Sequence, residues 1–275
     1  MQAALAAHTL LGTGLRALPA RPARGAPLAP RAASTRLPSA GGRGPGAPSA
    51  AASSSSGGYK PEVPSETTPG DLFSIITTLG LTGGSVGTYL DGIHSRVQVL
   101  VYDKLALIHG GLHTSAIVPP LLAAFYIVLG GLYIKADGWL LERGDQSTEA
   151  AYRRCNLGTM CLSFGALAAS LALSSVLYAN DVPADQISLV LAGCAAANYL
   201  VFDSTKQGLA LALLCAVACP ASELMLMHIG QLWHYPEATL FTEIPHSGIP
   251  SWVPWCYFIY TSAVAQLTRY LKKTS

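Results

Sequence analysis

Charge is scarce in this 275-residue chain, with 12% Asp, Glu, Lys and Arg against 51% hydrophobic residues. Average globular domains carry about twice that share of charge, so an ordinary water-facing surface is excluded. No folded basic patch is available to engage phosphates, which argues against a nucleic-acid partner. No C-x-x-C pair occurs among the six scattered cysteines, Cys155, Cys161, Cys194, Cys215, Cys219 and Cys256. Most of them sit in apolar stretches where cysteine behaves as a small hydrophobe, and a disulfide framework is not expected. No nucleophile–base arrangement, P-loop or dinucleotide fingerprint is present. The expectation is therefore a non-enzyme with no catalytic residues and no cofactor.

The first 58 residues lack lysine and acidic residues altogether, yet hold six arginines, Arg16, Arg21, Arg24, Arg31, Arg36 and Arg43. The rest is mainly Ala, Pro, Ser and Gly, which cannot bury a core. An Arg- and Ser-rich, acid-free N-terminus has the composition of an organelle-targeting peptide. Pro19, Pro22, Pro27 and Pro30 break the amphipathic helix that a mitochondrial presequence needs. A plastid transit peptide is expected over 1–58, with a mitochondrial leader or a retained tail as alternatives, followed by a linker over 59–70. The six arginines also hide a net charge of −4 in the remainder, which has 11 basic and 15 acidic residues.

Between 71 and 275 the chain is dominated by six apolar stretches, 72–90, 115–134, 156–178, 186–202, 208–229 and 252–271. Each approaches the roughly 20 helical residues that cross a bilayer core, and backbone amides in lipid must be satisfied within their own segment. The alternating strands of an outer-membrane barrel are absent. The expected fold is an all-α polytopic membrane protein, a bundle of six transmembrane helices. Gly80, Gly83, Gly84 and Gly87 give two overlapping G-x-x-x-G spacings for close helix packing. The stretch 97–112 contains Asp103 and Lys104 and reads as interfacial, while Pro220 marks a kink in the fifth span. One side of the membrane would hold nine cations, Lys60, Lys135, Arg143, Arg153, Arg154, Lys206, Arg269, Lys272 and Lys273, and the other only Arg96 and Lys104. That asymmetry places both termini on the cytosolic or stromal face.

Several local patterns, in order, resemble the insulin-induced gene (INSIG) family of six-helix membrane proteins. Val118-Pro119-Pro120, Gly131-Leu132-Tyr133 and Ala136-Asp137-Gly138 are similar to the family's V-P-P, G-L-L-Y and I-D-S. Arg154-Cys155 opens the third span as R-C does, and 202–209, from Phe202-Asp203 to Gly208-Leu209, resembles F-D-R-S-R-S-G-L. Tyr235-Pro236-Glu237 and Ser251-Trp252-Val253-Pro254 follow, with Arg269 at the family's spacing from Trp252. The chain departs from the pattern in its third span, which stays apolar at 166–170, in a longer connection over 180–186, and at Ser204, where the family has a basic residue. The resemblance implies a protein that binds an oxysterol-like ligand and holds a partner in the endoplasmic reticulum. A plastid leader points to another membrane.

Four residues are candidates for sites. Asp203 is read either as the N-cap of the fifth span or, as the resemblance implies, as a partner contact, with Lys206 beside it. Glu223 lies inside the fifth span, where a carboxylate costs about 2.5–3.5 kcal/mol on insertion scales; it is read as lining a ligand pocket or as a neutral group bonded to a neighbouring helix. Asp137 and Lys135 end the second span and are expected to snorkel to the interface, with Asp137 a ligand-binding candidate. His109 and His113 have the i, i+4 spacing of metal sites, but Gly110-Gly111 weakens the helix they would share and no metal site is expected. Trp233, Trp252, Trp255 and Tyr257 are expected as headgroup anchors. The partners expected are the lipid bilayer, a membrane protein and a sterol or isoprenoid ligand. A lipid-acting enzyme or transporter and a structural or assembly subunit of a thylakoid complex are the alternatives.

Overall fold

The structure, a computed structural model, describes residues 68–275. The expected transit peptide, and the linker up to 67, lie outside the described residues. Helix α1 starts where Thr68 and Asp71 cap each other, Thr68 N donating to the carboxylate and Asp71 N to the hydroxyl, with Pro69 in the first turn. It runs over 69–96, passing through a π turn at Gly83–Gly87. A Cβ at Gly83 would collide with the Leu122 carbonyl, and one at Gly87 would press on the Tyr126 ring. The glycine spacing thus does bring two helix backbones together. The helix outlasts the expected span by a turn and a half and carries Asp91 along.

The segment 97–116 is neither a span nor a helix. It forms β1 (Val101–Tyr102), β2 (Ala106–His109) and β3 (Leu112–Ser115). Gly110 and Gly111 have φ of 56° and 85°, which suits the two-residue hairpin turn that needs positive φ at both positions. His109 and His113 therefore stand on opposite strands of a hairpin and share no helix face. After it come α2 (Val118–Leu141), the short α3 (Gln146–Arg154), α4 (Leu157–Ala179), α5 (Ala184–Asp203) and α6 (Lys206–Gly230). Strand β4 (Trp233–His234) pairs antiparallel with β1, and α7 (Val253–Thr274) closes the chain.

Helices α2, α4, α5 and α6 are each long and apolar enough to cross a membrane. Their outward side chains are large and apolar, as at Leu162, Leu189, Val217 and Ile229, which suits lipid contact. Helices α1 and α7 match them in length at 1.5 Å per residue, and six crossings would need both. Helix α7 is the hub. It touches α1, α2, α4, α5 and α6, and 258–269 is buried without a break. Polar residues such as Thr261, Gln266 and Arg269 are tolerated there because protein, not lipid, surrounds them. Helix α6 continues unbroken past Pro220. Of the four aromatic residues expected at headgroups, Trp255 and Tyr257 are half-buried, while Trp252 and Trp233 turn inward. Trp252 is buried with its ring 5.3 Å from that of His94, and Trp233 is also buried.

Candidate functional site

Two polar clusters sit in opposite halves of the bundle. The first surrounds Arg269 of α7, which is 0% exposed. Its Nε donates to Asp137 Oδ2 of α2 at 2.8 Å, and its Nη1 to Asp203 Oδ1 at the end of α5, also at 2.8 Å. The Tyr133 hydroxyl donates to Asp203 Oδ2 at 2.9 Å, and Gln207 Nε2 to Asp137 Oδ1 at 2.7 Å. The guanidinium also lies 5.3 Å from the Tyr133 ring centre. Each carboxylate thus has the guanidinium and further donors, which a buried ion pair requires.

Three expectations change here. Arg269 belongs inside the bundle and not with the C-terminal cations. Asp137 does not snorkel but is fully buried against Arg269, because α2 runs on to Leu141 and the guanidinium draws the carboxylate inward. Asp203 is not the cap of α6. Thr205 takes that place, its hydroxyl accepting from Gly208 N at 3.0 Å, while the Asp203 side chain is 1% exposed and committed to Arg269, Tyr133 and Thr205. Ser204 turns the chain at φ 56°, Arg154 Nη2 donates to the Asp203 carbonyl at 3.2 Å, and a Cβ at Gly208 would collide with the Asp203 carboxylate. The loop is therefore locked from within. Lys206 is its exposed feature, with a side chain 85% accessible and 3.8 Å from Asp145. Hydrogen bonds from Ser147 and Thr148 hold the Asp145 carboxyl down at about 2.

The second cluster lies toward the β-strands. Glu223 of α6 accepts from the hydroxyls of Tyr257 at 2.5 Å and Tyr235 at 2.8 Å. Asp91 of α1 accepts from Tyr102 at 2.5 Å. Burial and the adjacent carboxylates push the phenols of Tyr102 and Tyr235 well above their ordinary range, so both remain donors. Asp91 and Glu223 line a cavity of about 410 Å³ between α2 and α6, whose other walls include Leu121, Val128, Leu132 and Leu214. A hollow of about 40 Å³ beside it is shared by Asp91, His94, Glu223, Tyr235 and Tyr257. Of the expected ligand residues, Glu223 faces this cavity and Asp137 does not. Asp91 and Tyr102 were not singled out from sequence. The only available signal was an acid one residue beyond an apolar run, which reads as an ordinary helix end.

No family model matches the chain, and no curated protein is significantly similar to it. Among solved structures, the mycobacterial Insig homologue MvINS from Mycobacterium vanbaalenii superposes with a TM-score of 0.58 at 18% identity, over 72% of this chain and 94% of that one. A cross-linked trimer of a cysteine variant of MvINS gives 0.57 at 18% identity, over 71% and 93%. The fold is Insig-like. The superposition spans nearly all of MvINS, and 72% of this chain corresponds in extent to the described residues, 68–275. Identity this low carries the architecture and leaves the role of each residue to be argued from its own surroundings. In this Insig-like chain those surroundings divide the polar residues into a saturated ionic lock and an acid-lined cavity.

Proposed function

We propose that this multi-pass membrane protein is a non-enzymatic regulator of the Insig type, which takes an apolar ligand between α2 and α6 and holds a partner membrane protein. The observation that carries the reading is the 410 Å³ cavity, within the few-hundred-Å³ range of ligand sites and lined mainly by hydrophobic side chains with a few convergent polar groups. A sterol or an isoprenoid lipid has the shape and apolarity for such a space. The partner surface is assigned to the α5–α6 loop, where Lys206 is exposed and Asp203 fixes the loop's shape from inside. On this reading Asp203 serves a partner indirectly, by presenting Lys206. The arginine-rich, acid-free leader supports a plastid membrane as the site of action, with the endoplasmic reticulum as the alternative.

The test is tagged full-length protein followed by microscopy, crosslinking mass spectrometry and lipid extraction of the purified complex. A co-purified apolar lipid together with a membrane protein crosslinked near Lys206 is the expected result. Turnover of a lipid by the isolated protein would replace this reading with an enzymatic one.

A further inference from the structure

The corner of the cavity lined by both Asp91 and Glu223 is dominated by hydrogen-bond acceptors. Among the described residues no ion pair reaches either acid. Their partners are phenols, and a phenol that donates to a carboxylate has spent its single hydrogen. Tyr102, Tyr235 and Tyr257 are all committed in this way. His94 also lines the hollow but pairs with neither acid. The Ser174 hydroxyl lies 2.9 Å from the Leu171 carbonyl and 2.8 Å from His94 Nε2, and when its hydrogen goes to the carbonyl the ring nitrogen is the donor of the second contact. In that tautomer Nδ1 of the neutral ring is one more acceptor.

What this corner presents is thus mainly acceptor lone pairs beside an apolar wall, with the Tyr260 hydroxyl as an uncommitted donor at the hollow and the partnerless Trp233 indole N–H in the wall of the larger space. An anionic head brought there would meet like charge and lose its water, a costly combination. A head carrying N–H or O–H donors would find acceptors, and a cation would also lie among the aromatic rings of Phe125, Tyr235 and Tyr257 that line the smaller hollow, rings whose faces attract positive charge. The hollow of about 40 Å³ has room for a compact head or a water or two, and the larger space holds the chain.

Resting on the reading of the cavity as a lipid site, we propose that the Asp91–Glu223 corner makes it selective for amphiphiles with a hydrogen-bond-donating head, a cationic amine above all, and closed to carboxylates and phosphates. Asp91 and Glu223 are the specificity-determining residues, and the three tyrosines hold them in position.

Competition among three isoprenoids of one chain length tests this. Full-length protein in phosphatidylcholine nanodiscs is loaded with tritiated geranylgeraniol, which is then displaced with unlabelled geranylgeraniol, geranylgeranylamine or geranylgeranoic acid. Counts bound to empty discs are subtracted. The amine is expected to compete about tenfold better than the alcohol, and the acid about tenfold worse or weaker still, the size of one charge-assisted hydrogen bond gained or lost. In the volume-conserving double variant Asp91→Asn, Glu223→Gln that spread should fall to roughly threefold or less, since neutral amides donate as well as accept. Tyr235→Phe keeps both acids and should keep the order. If the double variant does not run as a single species on size exclusion, Glu223→Gln alone decides, with the amine's advantage expected to shrink. An acid that competes as well as the alcohol, or an amine advantage that survives loss of the carboxylates, overturns the selectivity while leaving the lipid site intact. Failure of the alcohol to bind at all, with no displacement signal from any head group, removes the lipid site and this inference together.

Discussion

The two polar clusters solve the same physical problem in opposite ways. Around Arg269, two carboxylates share one guanidinium and draw further donors from Tyr133, Thr205 and Gln207. Around Glu223, two carboxylates have only phenols and face an apolar space. A buried charge away from water is costly unless paired and hydrogen-bonded. The first cluster meets that demand inside the protein and so reads as architecture, fastening α2, the α5–α6 loop and α7 to one another. The second leaves the demand open, and in a membrane an ionisable group with spare valence is by default a functional one. Satisfaction of the carboxylates, more than their depth in the bundle, separates the two roles.

The comparison breaks most directly at Arg269. Arg269→Leu strands two buried carboxylates, and removing one partner of such a pair costs about 3–5 kcal/mol. The expected outcome is loss of monodisperse protein after detergent extraction, or a sharply lowered melting temperature. Adding Asp137→Asn and Asp203→Asn to the same chain should restore part of the loss, because the stranded charges are then gone. If Arg269→Leu melts like the parent, the lock is not what holds these helices.

A smaller effect is expected at Gly208. A methyl group there runs into the Asp203 carboxylate, and overpacking of this kind costs about 1–3 kcal/mol. Gly208→Ala should lower the melting temperature, whereas Gly165→Ala in α4, where a Cβ meets nothing within 4 Å, should leave it unchanged or raise it slightly. Equal behaviour of the two variants would mean that the loop can move away from Asp203 freely.

The helices were legible because hydropathy and length are properties of a segment by itself. The apolar runs located α2, α4, α5 and α6, and the glycine spacing in α1 named a real helix contact at Gly83 and Gly87. The clusters were not legible, because each depends on residues distant in sequence. Arg269 meets Asp137 across 132 positions, and counted by sequence alone it belongs with Lys272 and Lys273. Asp203 was found as a position worth naming, but as a cap or a partner contact and not as an internal ion-pair member, since nothing local shows that Thr205 is the cap or that Arg269 reaches it. The stretch after α1, interfacial and not spanning by sequence, is indeed no span, but its hairpin form was not legible. Leu105, Leu107 and Ile108 make it apolar enough for an interfacial segment, but Gly110-Gly111 folds it into a hairpin.

The smallest expected change in stability, and the sharpest division between architecture and recognition, is at Lys206. Its ammonium is 3.8 Å from Asp145 and its side chain is 85% accessible. Exposed pairs of this kind contribute about 0–1 kcal/mol, so Lys206→Ala should accumulate and melt like the parent. A charge-assisted contact with a partner is worth more than that, about 1.5–3 kcal/mol, or roughly a tenfold to hundredfold loss of affinity. Recovery of the crosslinked membrane protein should therefore fall with Lys206→Ala and hold with Asp185→Ala, an exposed charge at the other end of α5. Asp203→Ala should lose both stability and partner, since the loop that presents Lys206 would no longer be held in shape. If Lys206→Ala keeps full recovery while Asp203→Ala loses it only in proportion to its instability, the α5–α6 loop is scaffold throughout. The partner surface must then be sought on a lipid-facing helix.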